Sequence, residues 1–74
     1  MDAKELKPGK FVRWLYKDTD TLLCRLRYIG RDYVSVQITT ATEQQVLDSG
    51  YGVSDVVNVA PVSLRPLDWK SPNA

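Results

Sequence analysis

The chain contains no histidine and one cysteine among its 74 residues. Without histidine, imidazole-ligated zinc sites and His-dependent catalytic triads are excluded in practice. A lone Cys24 has no partner for an internal disulfide, so an oxidising compartment would gain the fold nothing. Such a cysteine on an apolar face behaves as a small hydrophobe. No apolar run is long enough for a signal peptide or a membrane span, so the expectation is a cytoplasmic chain with no membrane partner. A net charge of +1 is far below that of a dedicated nucleic-acid binder. No paired-carboxylate site is visible, and no residue pattern implies a cofactor or a metal. The one acidic pair in a loop, Asp18 and Asp20, lacks the glycine and later glutamate of a calcium loop and reads as ordinary turn chemistry.

What is present is a single small domain, residues 1–74, with a polar lead-in over 1–7 and a polar tail over 68–74. The lead-in reads as a frayed helical turn or loose segment anchored by Leu6. A chain this short buries only about 60% of its unfolded surface, which leaves a thin stability margin. Charge is unevenly placed. Residues 1–39 hold eight Lys or Arg against five Asp or Glu, whereas residues 40–74 hold two against four, an asymmetry able to orient a partner.

Phe11 to Thr39 reads as three antiparallel strands joined by turns at Lys17–Thr21 and Gly30–Asp32. Side chains alternate across a strand, and pairing Tyr16 with Leu22, Trp14 with Cys24, Val12 with Leu26 and Lys10 with Tyr28 gives one apolar face. A slip of one residue would mix the faces. Across the second turn, Ile29 with Tyr33, Tyr28 with Val34, Leu26 with Val36 and Cys24 with Ile38 continue that face. The expected core face is Val12, Trp14, Tyr16, Leu22, Cys24, Leu26, Tyr28, Val34, Val36 and Ile38.

Residues 39–52 are ambiguous. Thr40-Ala41-Thr42-Glu43 fits a capping box opening a short helix over Glu43–Asp48 that ends near Gly50. The same residues also read as a fourth strand turning at Ser49–Gly52, and we favour strand-loop-strand. Val53–Val59 is a valine-rich strand in either case. Pro61-Val62-Ser63-Leu64 is a natural single helical turn, and Leu64–Leu67 a short closing strand which Pro66 confines to an edge or ends at Arg65. Trp69 either caps an open barrel end or is exposed.

Short strands and tight turns in a chain too small for a sandwich make an all-β, closed or nearly closed barrel of five strands, with one short helical turn near Pro61–Leu64. With Leu6-Lys7-Pro8-Gly9 leading in and Pro61-Val62-Ser63-Leu64 closing, residues 6–67 resemble the Src-homology-3-like barrels, and the Sm-like barrel is the alternative. Val57-Asn58-Val59-Ala60-Pro61-Val62 is also similar to the Val-Gln-Ile-Tyr-Pro-Val run of the type II dihydrofolate reductases, tetrameric barrels of this size. That family works through the Gln, Ile and Tyr of the run and a lysine near the first strand. Here Asn58, Val59 and Ala60 stand in the run, and Trp14 or a neighbour near the lysine's place, so most of that chemistry is missing.

The opposite face of the meander carries the candidate binding residues Phe11, Arg13, Arg25, Arg27, Tyr33 and Gln37, along with Leu15, Leu23, Ile29 and Ser35. In this register Arg13 faces Arg25 and Arg25 faces Gln37. Guanidinium groups bind phosphates and carboxylates bidentately and stack on bases, and Tyr33 or Phe11 adds a stacking platform. Solubilising arginines would look similar, though like charges opposite one another ask for an anion. Phe11, Leu15, Leu23 and Ile29 instead form an apolar patch suited to self-association. The expectation is a non-catalytic binding module with a protein or nucleic-acid partner, or a homo-oligomer. The alternatives are a small oligomeric barrel enzyme related to the type II reductases, or an accessory or inhibitor subunit of a larger complex.

Overall fold

A computed structural model of the chain describes residues 6–71. The elements run β1 (Phe11–Lys17), β2 (Asp20–Ile29), β3 (Val34–Thr40), α1 (Glu43–Ser49), β4 (Val56–Val59), a 3₁₀ turn (Pro61–Ser63) and β5 (Leu64–Arg65). The five strands form one antiparallel sheet in the order β4-β3-β2-β1-β5, curled into a half-barrel whose β4 and β5 edges are not hydrogen-bonded to each other. The fold is a small all-β one, as the alternation of apolar residues implies. The helical turn expected over residues 1–7 falls largely on residues outside those described, as does the tail beyond Ser71.

The first hairpin is shifted by two residues from the expected register. Val12 pairs with Cys24, Trp14 with Leu22 and Arg13 with Leu23, and Lys10 lies opposite Leu26, whose N–H donates to its carbonyl at 2.8 Å. The turn is tight, with Lys17 opposite Asp20 around Asp18-Thr19, and Tyr16 is an extra, bulged residue. The Asp20 carboxylate closes this turn, accepting from the Thr21 N–H at 2.9 Å and from the Tyr16 hydroxyl. A shift of two preserves which residues face inward, so the apolar face survives. The pairing of Arg13 with Arg25 does not.

The second hairpin keeps the expected pairs from Cys24–Ile38 to Leu26–Val36 and then changes. Arg27 is a bulge, and beyond it Tyr28 pairs with Ser35 and Ile29 with Val34. One extra residue reverses the alternation. Tyr28, expected in the core, is 56% exposed, and Ile29, expected outside, packs against the core. The remaining expected core residues are buried or, for Trp14 and Tyr16, half-buried against it, and Leu6, Val57, Val59 and Leu64 complete it.

Glu43–Ser49 is a helix, not the favoured strand. Its capping box is Thr42 with Gln45, two residues after the pair read in the sequence. The Gln45 N–H donates to Thr42 Oγ1 at 3.2 Å, and the Thr42 N–H donates to Gln45 Oε1 at 3.0 Å. Gly50 ends the helix at φ +81°, a conformation only glycine takes cheaply. No helix residue is buried, so its attachment is polar and aromatic. Gln45 Nε2 donates to Asp20 Oδ2 and to the Thr21 carbonyl, Lys17 pairs with Asp48 at 2.9 Å, and Tyr51 beyond the helix stacks obliquely on Trp14. The 3₁₀ turn and β5 lie where expected; β5 is an edge strand and ends at Arg65, before Pro66. Trp69 is half-buried.

Candidate functional site

The outer face is built in rows that run across the sheet. Phe11 on β1 pairs with Arg25 on β2, Arg25 with Gln37 on β3, and Gln37 with Val56 on β4. Since directly paired residues share a face, these four side chains form one line across four strands. The next row holds Tyr28, Ser35 and Asn58, with Ser35 Oγ donating to Asn58 Oδ1 at 2.6 Å. Asn58 therefore belongs to the outer face.

Four arginines on this side divide into two kinds. Arg13 and Arg65 are cross-strand neighbours, and each has its guanidinium engaged with main-chain carbonyls. Arg13 Nε donates to the Leu67 carbonyl at 2.6 Å and its Nη1 to Thr21 Oγ1 at 3.4 Å. Arg65 Nη1 donates to the Val62 and Leu64 carbonyls at 2.6 and 2.8 Å. Carbonyl oxygens offset the proximity of the two cations, so this pair asks for no external anion. Arg13 is thus a closing clamp between β1 and the segment after β5, its guanidinium already engaged with Leu67 and Thr21.

Arg25 and Arg27 are exposed and make no hydrogen bond or ion pair among the described residues. Arg25 lies over the Phe11 ring with its guanidinium carbon 5.8 Å from the ring centre. Gly9, at φ +90°, stands beside it: a Cβ there would approach Arg25 Nη2 to 3.8 Å, ordinary contact distance. Phe11 and Gly9 together give the guanidinium a flat bed without an acceptor. Arg27 is the bulged residue, and bulges re-aim side chains. Here the bulge places Arg27 and Tyr28 side by side in the exposed surface.

The bulge also supplies an aromatic pair. Tyr28 and Tyr33 flank the Gly30–Asp32 turn with ring centres 6.0 Å apart and planes inclined by 41°. The turn is closed by the Gly30 N–H donating to the Tyr33 carbonyl at 2.8 Å. A Cβ on Gly30 would come within 3.0 Å of the Tyr33 carbonyl and ring and 3.2 Å of the Tyr28 ring, so glycine lets both rings crowd over the turn. Exposed Arg31 is at the same end. Gln37, like Arg13, is already committed internally, its Nε2 donating to the Ser54 carbonyl at 3.2 Å.

The expected apolar patch does not assemble. Leu15 and Leu23 are half-buried, Ile29 turns to the core, and of the four only Phe11 is exposed. The residues the sequence reading missed are Tyr28 and Arg31; two consecutive polar-or-aromatic positions in the run Arg25-Leu26-Arg27-Tyr28-Ile29 were the signal for Tyr28. The described residues enclose no pocket, so the candidate site is an open surface.

A second polar cluster joins the helix to the first hairpin. Burial raises the Tyr16 hydroxyl well above the ordinary tyrosine range, and its bond to the Asp20 carboxylate raises it further. Burial also pushes Asp20 upward. It is outweighed by hydrogen bonds from Tyr16, Gln45 and the Thr21 N–H and by the Lys17 charge, which together hold Asp20 below the usual carboxylate range. Every group in this cluster has an internal partner, which makes it a structural fastening.

Compared with known proteins, the chain matches no family model, no curated protein and no solved structure.

Proposed function

We propose that this chain is a non-catalytic binding module for single-stranded nucleic acid, held on the outer face of the β1–β3 meander. Arg25, Arg27 and Arg31 take phosphates, and Phe11, Tyr28 and Tyr33 take bases. The observation that carries this reading is the division among the arginines. Arg13 and Arg65 are engaged with main-chain carbonyls, whereas Arg25 and Arg27 are exposed and have no acceptor among the described residues, and Arg25 lies over the Phe11 ring.

The chemistry favours unpaired bases. A stacking platform requires a base face that a duplex keeps covered, and each base–aromatic stack is worth about 1–3 kcal/mol. Planar guanidinium groups suit both phosphate forks and base faces. Carboxylates do not neutralise the surface: the ion pair found among the described residues, Lys17 with Asp48, belongs to the hairpin–helix fastening. With so few free cations, affinity is modest and depends strongly on salt.

The test is fluorescence anisotropy of a labelled single-stranded oligonucleotide titrated with the protein at low salt and again at rising salt. Binding that weakens steeply with salt supports the reading, because phosphate contacts release counterions. Absence of binding at low salt, or equal preference for an acidic peptide, contradicts it.

A further inference from the structure

The two edges of the sheet, unpaired among the described residues, are treated differently by the sequence. The β5 edge has two residues, is stopped by Pro66, and carries Arg65 folded back onto the Val62 and Leu64 carbonyls. Short length, proline and a cation are the devices that keep a sheet edge from pairing. The β4 edge, at four residues, is twice as long and has neither proline nor cation. Val56-Val57-Asn58-Val59 contains no charge and no proline, and its outward-facing side chain Val56 is 57% exposed.

Main-chain polarity along β4 follows from one bond. The Ile38 N–H donates to the Asp55 carbonyl at 2.9 Å, so Asp55 faces β3. Because N–H and C=O groups alternate sides along a strand, Val57 and Val59 also face β3. Val56 and Asn58 then direct their N–H and C=O groups to the open edge, which β3 does not cover.

We propose that a second copy of this chain covers that edge, β4 pairing antiparallel with β4 about a two-fold axis at Val57. In this register Val56 exchanges main-chain bonds with Asn58 of the partner subunit, and Asn58 with Val56 of the partner subunit. This choice of occupant rests on self-complementarity. A strand whose open groups fall on two residues placed evenly about its centre satisfies itself in this register without a slip. Val57 meets its own copy on the core side, and the outer faces of the two copies align. The same antiparallel direction carries Val53, just before β4, toward Val62, just after it, on the other copy. These two apolar residues are 55% and 75% exposed in the single chain, and both gain cover.

Charge does not oppose the pairing. Asp55, next to the strand, has its carboxylate turned back to accept from the Gly52 N–H at 2.8 Å. Arg25 lies on the second strand inward from the seam, so the two copies of it are about 24 Å apart at the usual strand spacing. That exceeds the Debye length of about 8 Å at physiological salt. With four residues in the seam, dissociation falls on the order of 10–100 µM, at the weak end for a specific contact. The inference does not depend on the nucleic-acid reading.

The experiment combines light scattering over a dilution series with amide exchange read residue by residue. The mass should rise with concentration from 8.4 kDa toward twice that value, and the Val56 and Asn58 amides should gain protection over the same range. Val56→Lys sets two like charges diagonally across the seam and should weaken association at least tenfold, with an unchanged circular dichroism spectrum showing that it folds. Leu47→Lys, on the exposed side of α1, should leave association unchanged. A constant monomer mass at millimolar protein overturns the proposal. So does a dimer that Val56→Lys does not weaken, or one whose Val56 and Asn58 amides remain unprotected. Oligonucleotide binding by a strictly monomeric chain would also overturn it, while leaving the proposed function standing.

Discussion

Arg25 and Phe11 are direct cross-strand partners, and the guanidinium of the first lies over the ring of the second at 5.8 Å. No acceptor within the described residues claims the guanidinium, so the contact presents a cation already held in place. Its worth is about 0.5–1 kcal/mol at an exposed site, enough to favour one orientation.

Phe11→Ala should therefore separate binding from stability. The ring is largely exposed, so unfolding in urea should shift by no more than about 1 kcal/mol, the worth of its contact with Arg25. Affinity for a single strand should fall by about 1–3 kcal/mol, through loss of one stacking surface and of the bed under Arg25. Equal losses in both measurements would make Phe11 a packing residue instead.

The Arg27 bulge predicts a reversal of the usual aromatic and aliphatic roles. Ile29→Ala removes a side chain packed on the core and should cost about 2 kcal/mol or more. Tyr28→Ala removes an exposed ring and should cost less than about 1 kcal/mol. Denaturant titration of the two variants checks the bulge, and the opposite ranking would restore unbroken alternation.

These two residues also show where the sequence was legible. Alternation in Val12, Leu22, Cys24, Leu26, Val34, Val36 and Ile38 placed the core correctly, because an error of two residues in pairing leaves each side chain on its proper face. It did not reveal the pairing partners. Those depend on turn length, and the Asp18-Thr19 turn is set by bonds from Tyr16 and Thr21 to Asp20 that no local pattern announces. The bulge at Arg27 was equally hidden, since an extra residue on one strand has meaning only against its partner. The helix over Glu43–Ser49 was carried by caps at Thr42 and Gly50 with no buried face, so hydrophobic periodicity had nothing to report. The clamp at Arg13 was hidden because its acceptor, the Leu67 carbonyl, is 54 residues away.

The fastening at Asp20 makes α1 sensitive to acid. Asp20 has a folded-state pKa below the ordinary value, so its contribution is fully present above the unfolded pKa of about 4. It is lost as pH falls through the lower folded value. Asp48, lowered by its bonds from Lys17 and Gln44, acts in the same direction. The amides of Val46 and Gly50, whose N–H groups close the helix, should lose protection against exchange, relative to the unstructured rate at the same pH, below about pH 4 before the strands open. Asp20→Asn should flatten that dependence and cost about 1–2 kcal/mol at neutral pH. An unchanged acid profile in the variant would remove Asp20 from the fastening.

Cys24 is fully buried, and burial pushes its thiol up to about 12. Thiolate is the reactive form, so the folded protein should label with a thiol reagent only at the rate of its opening. Labelling should then track urea concentration through the unfolding transition. Rapid labelling without denaturant would show that β2 is not held in the core.

The most direct test of the account compares Arg25→Ala, Arg27→Ala and Arg13→Ala in salt-dependent binding to one single-stranded oligonucleotide. Arg25→Ala and Arg27→Ala should each weaken binding and each reduce the slope of log affinity against log salt by about 0.7, the loss of one phosphate contact. Arg13→Ala should retain the slope while lowering stability by about 1–2 kcal/mol, because its work is on the Leu67 carbonyl. Unchanged slopes for Arg25→Ala and Arg27→Ala, or a reduced slope for Arg13→Ala alone, would contradict it.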